Sequence, residues 1–337
     1  MNKNNRLITS KILICCMMIC LMVSQAGCGR IEDQPMSRMT YALSTEITIS
    51  IYDSKDQNLI TKCFELCGEY DRLLSRTNED SEIARLNRLG TCEVSDETLE
   101  IIQKGLYYSQ LSGGAFDITI EPVSSLWDFM AENPVVPDPA EIQKNLDKID
   151  YSKVEIEGNR VTLQEGMGID LGGIAKGYIA DRLKDYLLSQ GVKSAIINLG
   201  DNVLCIGRKS DNTDFTIGIQ NPQKPASIKG TVQVNDRSVV TSGTYQRTFT
   251  VDGVSYHHIL DPKTGYPYDN GISSVTIICD ESVDGDGLST TCFALGIEEG
   301  CKLVESMDQV YAMFVDNQGN EIFSKGFEEA AGYKKYQ

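Results

Sequence analysis

The stretch 166-GMGIDLGGIAKGYIAD-181 decides how the chain is read. Its second half leads into apolar positions Ile179, Leu183 and Leu187 at helical spacing, which predicts a helix over about 174–190 with Gly191 at its end. Glycine inside a helix costs roughly 0.5–1 kcal/mol against alanine, so glycines at its start need a reason. Glycines entering a helix let a ligand approach the backbone, and the free N–H groups there favour phosphate. The spacing is not Gly-x-Gly-x-x-Gly, and no strand-glycine-helix unit with a later acidic residue surrounds it. A nucleotide contact fits these glycines, which alone do not establish it.

Outward from this helix the pattern is mixed. Upstream, 46-EITISIYD-53 alternates like a half-buried strand. The segment 56-DQNLITKCFELCGEYDRLLS-75 places Leu59, Cys63, Leu66, Tyr70 and Leu73 at helical spacing, and another helix starts at Ser95/Asp96 and runs towards Gly113-Gly114. Downstream, 194–279 reads as short strands broken by turns such as Asn221-Pro222 and Asp252-Gly253. A helix near 286–297 and a strand at 309-QVYAMFVD-316 follow. No repeat or low-complexity linker interrupts the series. The expectation is one large α+β domain over 41–330, with room for two lobes.

The beginning of the chain is expected to be a targeting segment. Lys3, Arg6 and Lys11 precede the short apolar run 12-ILICCMMICLMV-23, which has signal-peptide shape. The ending 26-AGC-28 resembles a bacterial lipoprotein signal, so residues 1–27 are expected to be removed, Cys28 lipidated, and 28–40 to act as a tether; ordinary signal cleavage is the alternative. Both routes export the protein. Losing those three cations takes the formal charge from −17 to −20. So acidic a surface argues against nucleic acid and against a polybasic membrane contact, leaving the lipid as anchor. Seven cysteines follow Cys28, without CxxC spacing, so neither a disulfide framework nor a zinc site is expected.

Three further stretches carry chemistry. In 112-SGGAFDITIEPVSSLW-127 a helix-ending glycine pair precedes an aromatic residue and a carboxylate. In 283-VDGDGLSTTC-292, Asp286 and Thr290 are four apart, and on a helix they offer two hard oxygens on one face, as Mg²⁺ prefers. The only two histidines lie side by side in 256-YHHILDPKTGYP-267, where a strand would send them to opposite faces ahead of a turn.

Together with 81-SEIARLN-87, 197-INLGDNV-203 and 238-SVVTSGTYQR-247, these stretches resemble the ApbE-type FAD:protein FMN transferases, in the family's order over roughly 43–297. By similarity, Ala115, Phe116, Asp117, Asp170, Lys176 and Ile259 would form the FAD pocket. Gly173 (through its carbonyl), Asp286 and Thr290 would hold Mg²⁺. His258 matches the family's histidine, either taking the proton of the attacking hydroxyl or positioning the reactants, and His257 would be structural. The resemblance implies transfer of FMN from FAD to a Thr or Ser hydroxyl of an acceptor protein, releasing AMP. Two positions depart from the family. Leu43-Ser44-Thr45 stands where Met-Gly-Thr is common, and 75-SRTN-78 offers Thr77 and Asn78 where many transferases have a tyrosine near adenine. The smaller polar residue there leaves room for water, so hydrolysis of FAD to FMN and AMP is the runner-up. A non-catalytic flavin-binding lipoprotein is the other alternative, and it would make the metal pair dispensable.

Overall fold

Residues 34–336 are described by a computed structural model; Cys28 and the expected signal sequence lie outside them. The alternation seen at 46–53 becomes strand β2 (Thr45–Ile51), which buries Ile47, Ile49 and Ile51 completely on one face. It pairs with β1 (Met36–Ala42) through a two-residue turn in which Leu43 and Ser44 take φ of 51° and 57°. Positive φ at both turn positions matches the twist of a tight hairpin but strains non-glycine residues. The last part of the expected tether, residues 36–40, thus belongs to a strand. Its Arg38 donates to Thr61 Oγ1 at 2.7 Å on helix α1 (Gln57–Leu74).

After α1 come α2 (Glu82–Leu89), β3 (Thr91–Glu93) and α3 (Asp96–Leu111), the last two helices capped by Ser81 and Ser95. Two short helices, α4 (Glu121–Ser124) and α5 (Pro139–Leu146), precede β4 (Glu155–Glu157) and β5 (Arg160–Thr162). The glycine-led helix is α6 (Ala175–Ser189), within one residue of the expected bounds. Strands β6 (Ser194–Leu199), β7 (Asn202–Gly207), β8 (Phe215–Gln220), β9 (Ile228–Val234), β10 (Ser238–Gly243), β11 (Thr248–Val251), β12 (Val254–His257) and β13 (Ile272–Cys279) fill the stretch read as strands. The helix expected near 286–297 is α7 (Ser282–Leu295), which Gly296 separates from α8 (Ile297–Glu305). The chain ends with β14 (Tyr311–Asp316), β15 (Glu321–Phe323), α9 (Phe327–Ala330) and β16 (Lys334–Lys335).

An eight-stranded antiparallel sheet, ordered β1-β2-β6-β7-β10-β13-β14-β15, is the frame. Its two faces are separated by the two-residue period of each strand. On β7, Leu204 and Ile206 enter the main core with Ile60, Cys63, Ile179 and Leu183 of the helices, while Cys205 enters a second core. That second core holds Phe215, Ile217 and Val232 from the small sheet β8-β9-β16 on the opposite face. β13, buried along its whole length, is covered on both faces. All seven cysteines among the described residues are free, as their spacing implied.

α7 is buried on nearly every side, between α6, α3 and the sheet, and this is what brings the site together. A Cβ at Gly177 would lie 2.2 Å from the Ser282 carbonyl oxygen. This glycine therefore serves helix-to-helix approach; the ligand-approach reading does not apply at that position.

Candidate active site

One cavity of about 610 Å³ lies where the helices meet the sheet and the β11–β12 hairpin. Ala115, Phe116, Asp117, Asp170, Gly173, Lys176, His258, Ile259, Asp286 and Thr290 all line it. Residues up to 175 positions apart in sequence are thus gathered into a volume typical of a ligand site.

The two histidines have different surroundings, His257 at the end of β12 and His258 in the bend just after it. His257, at the end of β12, is buried; its Nδ1 accepts from the Ile259 amide at 3.3 Å, so its Nε2 donates to the Tyr268 carbonyl at 3.0 Å. His258 lines the cavity, with Nδ1 3.3 Å from the Gln246 carbonyl. A carbonyl only accepts, so Nδ1 carries the proton and Nε2 keeps its lone pair. Burial, then the neighbouring Arg247, His257 and Lys176, pushes the ring down to about 3, so it is neutral at pH 7.

Asp286 and Thr290 share the cavity-facing side of α7. The Asp286 carboxylate accepts from the Gly177 amide at 2.6 Å and from Asn202 Nδ2 at 3.0 Å. Burial pushes its pKa up, and Lys176 and these two donors hold it down. Among the described residues no group of three or more His, Cys, Asp or Glu side chains could cage a metal. Where α7 faces the cavity, the walls offer a buried carboxylate, a hydroxyl and, at Gly173, a close backbone. A Cβ at Gly173 would lie 2.9 Å from Phe116 Cε2 and 3.9 Å from Thr290 Oγ1, so only glycine leaves that approach open. Few hard oxygens with positions left for water and phosphate suit Mg²⁺, and the residues fit it.

Other expected residues are tied into the protein. Asp117 is buried; its carboxylate accepts from Thr119 N and Oγ1 at 2.8 and 2.7 Å and from Tyr151 N at 3.2 Å. It thereby sets the loop that carries Ala115 and Phe116. Asp170 pairs with Arg76 Nε at 2.9 Å and accepts from Ser124 Oγ at 2.7 Å. In the 75–78 segment, Arg76 and Thr77 face the cavity, whereas the Asn78 side chain accepts from the Asp80 amide at 3.2 Å in the turn. Sequence reading missed Arg76, Asp201, Gln246 and Arg247, all of which line the cavity. Burial raises the Asp201 carboxyl, opposed by Lys176 and by the bond from Gln246. Arg247 takes a left-handed φ of 36° and donates to the Ser44 carbonyl at 3.5 Å. All four lay inside quoted stretches, Arg76 in 75–78, Asp201 in 197–203 and Gln246 and Arg247 at the end of 238–247, but nothing in their spacing assigned them a role.

With this geometry in hand, comparison with known proteins gives a consistent picture. A sequence model of the ApbE family matches residues 43–314. A FAD:protein FMN transferase of Klebsiella pneumoniae (strain 342) is 37% identical over 300 residues, covering 87% of this chain and 93% of that protein. One from Treponema pallidum (strain Nichols) is 33% identical over 326 residues, covering 88% and 89%. Among solved structures, the ApbE protein of Thermotoga maritima superposes with a TM-score of 0.82 at 32% identity, covering 88% of this chain and 99% of that one. The flavin transferase ApbE of Vibrio cholerae gives 0.79 at 28% identity, with coverage of 88% and 99%. Sharing sequence and fold with these proteins over most of its length, the chain belongs to the ApbE family.

Proposed function

We propose that the protein transfers FMN from FAD to a Thr or Ser hydroxyl of an acceptor protein and releases AMP, with Mg²⁺ as the metal. The observation that carries this reading is the single cavity joining a neutral imidazole, a buried carboxylate–hydroxyl pair and several cations. Asp286, Thr290 and the Gly173 carbonyl would hold Mg²⁺. When bound, the ion neutralises pyrophosphate charge and favours departure of AMP.

The protein's own groups do the rest. Lys176 and Arg247 face the cavity and suit the anionic pyrophosphate. That negative charge beside them would offset part of the depression of His258, raising its basicity as substrate arrives. Nε2 would then take the acceptor's hydroxyl proton while the oxygen bonds to the FMN phosphorus and the phosphorus–oxygen bond to AMP breaks. A second branch is supported by Thr77 on the cavity wall, a small polar side chain beside which water can compete with the acceptor. The protein is further proposed to be exported and lipid-anchored through Cys28 on the outer face of the cytoplasmic membrane. Cys28→Ala is expected to abolish incorporation of labelled fatty acid.

The test of the reaction is incubation with FAD, Mg²⁺ and a candidate acceptor, reading AMP release and covalent flavin fluorescence on the acceptor separately. AMP released in step with flavin on the acceptor supports transfer. AMP without labelled acceptor supports the hydrolytic branch alone.

A further inference from the structure

Ser242 on β10 touches both hydroxyls of the cavity-facing stretch of α7. Its Oγ lies 2.8 Å from Ser289 Oγ and 3.1 Å from Thr290 Oγ1. The proton order follows from how the series ends. Ser289 Oγ lies 3.1 Å from the Asp286 carbonyl oxygen, which can only accept, so Ser289 places its single proton there. Ser242 must therefore donate to Ser289 and accept from Thr290. The Thr290 proton is then turned towards the strand, and Thr290 lines the cavity.

We propose that Ser242 is a positioning residue that presents Thr290 as an oxygen donor to a divalent cation, an inference that rests on the metal-dependent reading above. A hydroxyl whose proton faced the cation would repel it. A series of three hydroxyls ending on a carbonyl removes that orientation before any metal arrives. Because the terminal carbonyl belongs to Asp286, the same helical turn fixes both side-chain donors. In Ser242→Ala the Thr290 proton loses its acceptor, and Thr290 loses its fixed orientation. Groups that orient a metal ligand in this way are typically worth tenfold or more in affinity.

The experiment uses the full-length protein and Mn²⁺ as probe, with free Mn²⁺ read by electron paramagnetic resonance. Ser242→Ala is expected to bind Mn²⁺ about tenfold more weakly, while FAD affinity without metal and the thermal midpoint without metal stay unchanged. Ser242→Thr, which keeps the hydroxyl, is expected to recover binding. Ser289→Ala frees the Ser242 proton to turn towards Thr290 and is expected to weaken binding as well, which keeps the test available if Ser242→Ala folds poorly. Wild-type affinity in either alanine variant overturns the proposal alone. A wild-type protein that binds no Mn²⁺ and transfers FMN in the presence of chelator overturns the metal reading, and the proposal with it.

Discussion

Two adjacent imidazoles differ in what each is bonded to, and this separates their mutational signatures. Removing the His257 ring leaves the Tyr268 carbonyl and the Ile259 amide without partners, which costs about 1–3 kcal/mol. His257→Ala is therefore expected to lower the thermal midpoint. His258→Ala is expected to lower FMN transfer with little change in midpoint, and equal activity losses in the two variants would reverse the assignment. The sign of the pH effect also follows. The folded His258 resists protonation down to about 3, whereas an unfolded imidazole protonates near 6.5. As pH falls through that window the unfolded state takes up a proton that the folded state refuses, so stability falls. His258→Gln is expected to flatten this part of the stability profile relative to wild type, measured by thermal melts between pH 4 and 7. At the metal site, Asp286 carries the only formal charge among the three proposed donors. Asp286→Ala is expected to reduce transfer by about two to three orders of magnitude, while FAD binding survives on the contacts of the opposite wall. Near-normal transfer at low Mg²⁺ would show the site to be elsewhere.

At the scale of elements, α6 and α7 cap each other. The Asp181 carboxylate of α6 accepts from the Ser282 and Val283 amides at the start of α7, both at 2.8 Å. Asp286 of α7 accepts in turn from Gly177 near the start of α6, and Ser282 Oγ donates to Asn202 Oδ1 at 2.7 Å. Each helix thus satisfies orphan amides of the other, and the proposed metal ligand is one of the caps. Gly177→Ala tests the junction. Alanine gains roughly 0.5–1 kcal/mol of helix preference, but its Cβ would overlap the Ser282 carbonyl, and overpacking of this kind costs about 1–3 kcal/mol. The clash is expected to win, lowering the midpoint and raising the Mg²⁺ needed for half-maximal transfer. A midpoint at or above wild type would show that the helices can separate freely. The same junction shows what the sequence could convey. The helical spacing of Ile179, Leu183 and Leu187 was legible because burial on one face imposes a period. So was the shared face of Asp286 and Thr290, a local consequence of four-residue spacing. The role of Gly177 was not, because its reason lies on a helix over a hundred positions away. Arg76, Asp201 and Arg247 were hidden for the same cause: their placement in the cavity comes from tertiary packing and carries no local period. Most of β1 was read as tether because its mostly exposed residues carry no clear alternation and form a strand through pairing with β2.

For the molecule as a whole, the proposed transfer requires the cavity to admit a protein-borne substrate. In the proposed reaction a Thr or Ser hydroxyl on another protein would have to reach the FAD phosphorus, so the site would not close around FAD as a small-molecule enzyme closes a lid over both reactants. Water reaches wherever the acceptor reaches, and the groups proposed to activate a hydroxyl do not distinguish the two. In the proposed reaction His258 would accept a proton from either nucleophile, and the donors on α7 would serve the pyrophosphate whichever one attacks. What favours the acceptor is proximity: a docked hydroxyl held near the phosphorus gains an effective concentration far above that of a freely moving nucleophile. Without acceptor, FAD in the presence of Mg²⁺ is therefore expected to release AMP slowly, and adding acceptor should suppress free FMN while raising total AMP. Thr77 lines the cavity, so Thr77→Tyr, which fills space there with an aromatic ring, is expected to lower the hydrolytic rate more than the transfer rate. The measurement is AMP and free FMN by chromatography, with flavin on the acceptor read by in-gel fluorescence. FAD that stays intact for many hours on the acceptor-free protein would show that water is excluded from the activated phosphorus and that the cavity closes more tightly than its walls suggest.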